Sequence, residues 1–145
     1  MPVVKKSALV AHSAGQMFEL VNDVESYPQF LPWCHSGQLL SRDEEELCGQ
    51  IEVARAGVRQ KFSTCNRLHP YDRIEIRLKE GPFKQLKGEW RFTALREDAC
   101  KVELELHFQF SGALINKAFG AVFNQIANNL VDAFCKRASE VYRDE

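Results

Sequence analysis

From residue 101 to residue 110 the chain alternates without a break. Val102, Leu104, Leu106, Phe108 and Phe110 interleave with Lys101, Glu103, Glu105, His107 and Gln109. A period of two places one set on each face of a strand, so this segment must lie between a core and water. The same period recurs upstream. Leu47, Ile51 and Val53 oppose Gln50 and Glu52; Ile74, Ile76 and Leu78 oppose Arg73, Glu75, Arg77 and Lys79; Trp90 and Phe92 oppose Glu89, Arg91 and Thr93. One wet face and one dry face is the mark of an antiparallel sheet. The breaks fall at Ala56-Gly57, His69-Pro70, Gly81-Pro82 and Glu97-Asp98, short enough for hairpins. With a first strand over residues 3–12, the pattern predicts seven strands.

Two other periods frame the strands. Ser13 followed by Gln16 is a capping-box pair that starts a short helix carrying Met17, Phe18, Leu20 and Val21. Pro28 and Pro32 then break the chain into one or two helical turns and a corner. After Ser111-Gly112 the period changes to 3.6 up to about Arg143, with Phe119, Phe123, Ile126, Leu130, Phe134 and Val141 on one face. Some 28 helical residues extend about 42 Å. A lone amphipathic helix of that length buries its stripe only against a sheet of similar width. The predicted class is α+β: one domain over residues 1–145, with a curved seven-stranded antiparallel sheet around a long C-terminal helix.

The bulk numbers exclude several classes. Nothing in 145 residues forms an 18-residue apolar run, so no membrane-spanning helix is expected, and the first ten residues lack the apolar core of a signal peptide. The five cysteines, at 34, 48, 65, 100 and 135, form no C-x-x-C pair. Their odd number predicts free thiols in a reducing cytosol, with neither disulfide frame nor zinc site. A net charge of −1 by itself argues against a dedicated nucleic-acid binder, and no DNA partner is expected. The charge is unevenly spread, however: residues 55–96 hold 11 Lys or Arg against 4 Asp or Glu.

The segment Val24-Glu25-Ser26-Tyr27-Pro28-Gln29-Phe30-Leu31-Pro32-Trp33-Cys34 resembles a recurrent stretch of the coenzyme Q-binding START-like family, also called polyketide cyclase/dehydrase-like. Glu80-Gly81-Pro82-Phe83, with Leu86, Gly88, Trp90 and Phe92, resembles a second. Phe62 and Asn66-Arg67-Leu68 match a weaker third, where Cys65 stands in place of the expected arginine. The likeness covers nearly the whole chain. It implies a helix-grip fold, as in START and birch-pollen-allergen domains, with a cavity between sheet and long helix. It further implies a ligand such as ubiquinone or another prenylated lipid, carried or chaperoned for respiration, and no required cofactor. The family also includes bacterial ribosome-associated toxins, which implies the alternative of binding the large ribosomal subunit and blocking subunit association. Either role places the protein in the cytoplasm, the first also peripherally at the inner membrane.

Two sets of residues follow as candidates. Around the inward-facing Gly49 and Gly88, which would free volume, stand Phe62, Trp90, Phe108, Phe119, Phe123, Ile126 and Leu130 as apolar walls for a ring or prenyl tail. Thr64 and Asn66 would hydrogen-bond a head group; apolar walls with few polar groups make the usual small-molecule site. Phe30 and Trp33 would line the mouth, and Phe83 would close a Gly81-Pro82-Phe83 lid; equally, these aromatics fill a core and the corner is a plain turn. The second set, Lys61, Arg67, Arg73, Arg77, Lys79, Lys87 and Arg91, is expected on the outer face of three neighbouring strands, favouring phosphate of ribosomal RNA or anionic lipid. The alternative is a solvated face. No catalytic constellation is visible: the four histidines are scattered, and Cys34 and His35, adjacent in an extended segment, point apart. The run Asp43-Glu44-Glu45-Glu46 reads as a solvated hairpin tip with no metal.

Overall fold

A computed structural model describes residues 3–142, the side chains at 114–116 excepted. The element order is β1 (Val3–Val10), α1 (Ala14–Asn22), a 3-10 helix (Val24–Gln29), β2 (Cys34–Arg42), β3 (Glu46–Arg55), β4 (Val58–His69), β5 (Arg73–Glu80), β6 (Phe83–Arg96), β7 (Ala99–Phe110) and α2 (Ala113–Val141). Of the two short helices expected after β1, the second is the 3-10 helix carrying Pro28. The expected end of α2 at Arg143 lies outside the described residues.

All seven strands join one antiparallel sheet in the order β1-β7-β6-β5-β4-β3-β2. Strands β2 to β7 form a meander, and β1 returns beside β7 with Val3 opposite His107 and Val10 opposite Cys100. The hairpins sit where the sequence breaks fall. Arg55 pairs with Val58 across two residues, Ala56 and Gly57, both at positive φ (54° and 80°), the twist a two-residue turn needs. The capping box at Ser13 forms in both directions: Ser13 Oγ accepts from the Gln16 amide at 3.0 Å, and the Ser13 amide donates to Gln16 Oε1 at 2.9 Å.

Helix α2 lies against the inner face of the sheet. Its buried positions Phe119, Phe123, Ile126, Val131, Phe134 and Ala138 meet Val102, Leu104 and Phe108 of β7, Trp90 of β6 and Ile74 of β5 in one core. Val141, counted on the apolar stripe, is instead 45% exposed, because the stripe drifts off the sheet at its last turn. At the β5–β6 end an aromatic plug gathers round Phe83, whose ring centroid is 5.4 Å from Phe62, 5.1 Å from Phe110, 5.9 Å from Phe119 and 5.0 Å from Phe123.

One expectation fails in the cysteines. Cys48 and Cys65 are joined by a disulfide, while Cys34, Cys100 and Cys135 are free. The linear spacing hid the pair, since the two meet only through the register that sets Cys48 opposite Cys65. Burial pushes the Cys34 and Cys100 thiols up to about 11, which keeps both protonated and inert.

Candidate functional site

Between the sheet and α2 lies an apolar cavity of about 100 Å³. Trp33, Phe62, Thr64, Asn66, Trp90, Phe123, Ile126 and Leu130, eight of the twelve candidate ligand residues, line it. Strand alternation puts Phe62, Thr64 and Asn66 on the inner side of β4, and steps of three and four put Phe123, Ile126 and Leu130 on the facing side of α2. The other four stand elsewhere. Phe83, Phe108 and Phe119 belong to the aromatic plug, with Phe108 4.9 Å from Phe123. Phe83, only 5% exposed, is thus part of the core and no lid. Phe30 packs on Phe134 at 5.3 Å with the Arg137 guanidinium 5.1 Å from its ring.

The glycines open no space here. A Cβ on Gly88 would fall 2.1 Å from the Glu105 carbonyl oxygen, so this glycine exists for close strand approach, and one on Gly49 would touch Val24 at 3.4 Å. Val21 of α1, Tyr27 of the 3-10 helix and Trp33 just before β2 also line the cavity, and of these the sequence pointed only to Trp33. Phe134, on the predicted apolar stripe, closes the wall 5.3 Å from both Tyr27 and Trp90.

Polar groups in this cavity are few. Asn66 Oδ1 is buried with no hydrogen-bond partner among the described residues. A lone buried acceptor costs about 1–3 kcal/mol, which a ligand donor would recover. The Tyr27 hydroxyl donates to the Val21 carbonyl, and burial first, then the nearby Cys34 and Asp23, raise its pKa well above the usual phenol range. No carboxylate or histidine is among the described lining residues, so the cavity offers no acid–base pair at neutral pH.

The outer face of the sheet is the second candidate, and its register sorts the charges into rows. Glu105, Glu89 and Glu75 stand side by side on β7, β6 and β5. Each has a hydrogen-bond partner: His107 Nε2 lies 2.6 Å from Glu105, the Arg91 guanidinium 3.0 Å from Glu89 and His69 Nε2 2.7 Å from Glu75. These bonds hold the Glu75 and Glu105 carboxyls below the ordinary carboxylate range. The next row is basic, with Lys87 opposite Arg77 and Arg77 opposite Cys65. The seven expected cations therefore divide. Arg91 is engaged, and Arg73 is half-buried with Nε lacking a partner among the described residues. Lys61, Arg67, Arg77, Lys79 and Lys87 are exposed and make no ion pair with a described residue. Arg77, Lys79 and Lys87 flank the Gly81 hairpin on β5 and β6, while Lys61 stands opposite Glu52 and Arg67 opposite Glu75 on β4.

A curved antiparallel sheet gripping one long helix over an apolar cavity defines a helix-grip domain. The chain belongs to the polyketide cyclase/dehydrase and lipid transport family, whose profile matches residues 10–135. It is 49% identical to the ribosome association toxin RatA of Vibrio cholerae, over 98% of this chain and 99% of that one. To the protein of that name in Escherichia coli K12 it is 46% identical, over 98% and 90%. The mitochondrial coenzyme Q-binding protein COQ10 homolog B of Xenopus laevis is 26% identical over 94% of this chain and 58% of its own. Among solved structures, the Zhui aromatase/cyclase of a Streptomyces superposes with a TM-score of 0.85 at 20% identity, covering 99% and 96% of the two chains. The 18 kDa protein CC1736 of Caulobacter crescentus gives 0.74 at 30%, covering 98% and 99%.

Proposed function

We propose that this protein associates with the large ribosomal subunit through the outer face of its sheet and thereby hinders subunit joining. The observation that carries the reading is the cluster of exposed cations, Lys61, Arg67, Arg77, Lys79 and Lys87, left without ion pairs among the described residues. Cations so placed gain by meeting phosphate, because each neutralised phosphate releases condensed counterions. The near-full-length likeness to proteins named ribosome association toxin supports the same reading. Replacing Arg77, Lys79 and Lys87 by Glu leaves the core untouched, since all three are exposed. Wild-type protein is expected to sediment with large subunits at low salt and the triple variant to stay at the top of the gradient. Co-sedimentation of both alike, or of neither, overturns the proposal.

A second reading rests on Asn66. An amide oxygen buried without a partner among the described residues needs a donor, so it suits a small hydrophobic ligand with a hydroxyl head, of which a prenylated quinol is one class; the carbonyl of the oxidised quinone would accept instead from the Thr64 hydroxyl beside it. An apolar cavity of roughly 150 Å³ takes one benzene, so 100 Å³ accepts a whole quinone only if α2 and the 3-10 corner move apart. Organic extraction of protein from its native host followed by mass spectrometry tests this. A co-purifying quinone or lipid supports it; an empty extract, together with unquenched Trp33 and Trp90 fluorescence on adding ubiquinone, removes it.

A further inference from the structure

The Cys48–Cys65 bridge is an odd staple. It ties β3 to β4, which a two-residue turn already joins and a ladder from Glu46–Arg67 to Arg55–Val58 already pairs. Loop closure in the unfolded chain is the usual source of disulfide stabilisation, and here the separation is a short 17 residues. In the folded protein the ladder and turn hold β3 beside β4, so the bond can open without parting the strands. Its surroundings are also unlike those of the other three cysteines. Leu47 and Asn66, the flanking pair in the register, point into the molecule, so both sulfurs lie on the outer face. Cys48 is buried, Cys65 half-buried, and Arg77 stands directly across from Cys65 with exposed Arg67 two residues along β4. Glu46 Oε1 lies 3.6 Å from Cys48 Sγ. In the bonded state that sulfur carries no proton, so the contact becomes a hydrogen bond only after reduction.

We propose that Cys48 and Cys65 form a reversible thiol–disulfide couple on the outer face of the sheet, exchanging with low-molecular-weight thiols of the glutathione class. In the reducing direction a glutathione thiolate attacks Cys65 Sγ, the more accessible sulfur. The S–S bond breaks, and Cys48 leaves as a thiolate that takes a proton and donates it towards Glu46. A second glutathione thiolate attacks the mixed disulfide, freeing the Cys65 thiolate and producing glutathione disulfide. Two thiols are oxidised and one disulfide is reduced, and oxidation by glutathione disulfide runs the same steps backwards. Arg77 and Arg67 favour the Cys65 thiolate, since positive neighbours stabilise that form. The mixed disulfide puts the carboxylates of glutathione among Arg67, Arg77 and Lys87. The couple stands independently of any ribosomal role for that face.

Full-length protein equilibrated in glutathione buffers, acid-quenched, denatured and alkylated with N-ethylmaleimide reports its state by intact mass. Three labels mark the bonded form and five the dithiol. A hundredfold rise in the ratio of reduced glutathione squared to glutathione disulfide is expected to raise the five-label to three-label ratio about a hundredfold, as the two-thiol exchange requires. In Cys48→Ser, one glutathione adduct is expected at Cys65, with no adduct at Cys34, Cys100 or Cys135. Wild-type protein fixed at three labels or at five across the whole range overturns the proposal, as does Cys48→Ser without an adduct.

Discussion

Asn66 carries a cost that the fold does not require. Its amide oxygen is buried without a partner among the described residues, in a cavity otherwise walled by side chains such as Phe62, Ile76 and Leu106. Replacing it with Leu is expected to raise stability by about 1 kcal/mol, because an unsatisfied polar group is exchanged for apolar contact. A shift of the urea midpoint to higher denaturant would show it; a midpoint lowered by that amount would mean that Asn66 is satisfied and structural. Tyr27→Phe tests the opposite case. Removing its hydroxyl strands the Val21 carbonyl at the end of α1, so a loss of about 1–2 kcal/mol is expected in the same titration. The two residues were unequally legible. Asn66 is an inward position of an alternating strand, and the period-two pattern placed it correctly. The role of Tyr27 depends on how the 3-10 helix folds back on α1, which no local period encodes.

At the level of elements, the hairpin between β3 and β4 is built against local preference. Ala56 adopts φ 54°, a left-handed conformation that costs an L residue roughly 1 kcal/mol. Ala56→Asn creates the Asn-Gly pair this turn favours and is expected to raise the thermal midpoint by a few degrees; an unchanged or lowered midpoint would contradict that account. Acid acts on the outer rows. Glu52 is held below the ordinary carboxylate range by its hydrogen bond from Arg59, as Glu75 is by His69 and Glu105 by His107. A depressed folded-state pKa stabilises above the unfolded value, near 4.3 for Glu, and that stability is lost as pH falls through the folded value. Denaturation midpoints are thus expected to hold from pH 7 to about 5 and to fall below about 4. A stability that rises on acidification through that window would refute these bonds. The succession of strands along the chain, the hairpins and the capping were readable because each rests on residues within a few positions of one another; the return of β1 beside β7 was not. The disulfide, the true role of Gly88 and the sorting of charge into rows were not, since each depends on cross-strand register.

Across the whole molecule, the sheet has two faces with separate candidate uses. The inner face grips α2 over a cavity of about 100 Å³, too small for a prenylated quinone as it stands. The outer face divides into an acidic row hydrogen-bonded to His107, Arg91 and His69 and a basic group without ion pairs among the described residues. That division redirects the test from the segment's net charge to particular side chains. Arg91 is occupied by Glu89, so Arg77, Lys79 and Lys87 are the residues to neutralise. Phosphate contacts leave a quantitative trace, for the logarithm of affinity falls with the logarithm of salt concentration by roughly one unit of slope per contact. The most direct measurement is the dissociation constant for purified large ribosomal subunits across a salt series, for wild-type protein and for Arg77→Gln, Lys79→Gln, Lys87→Gln combined. The account predicts a steep wild-type slope that drops by about three in the variant, with affinity at low salt falling in step; equal slopes and equal affinities for the two proteins would contradict it.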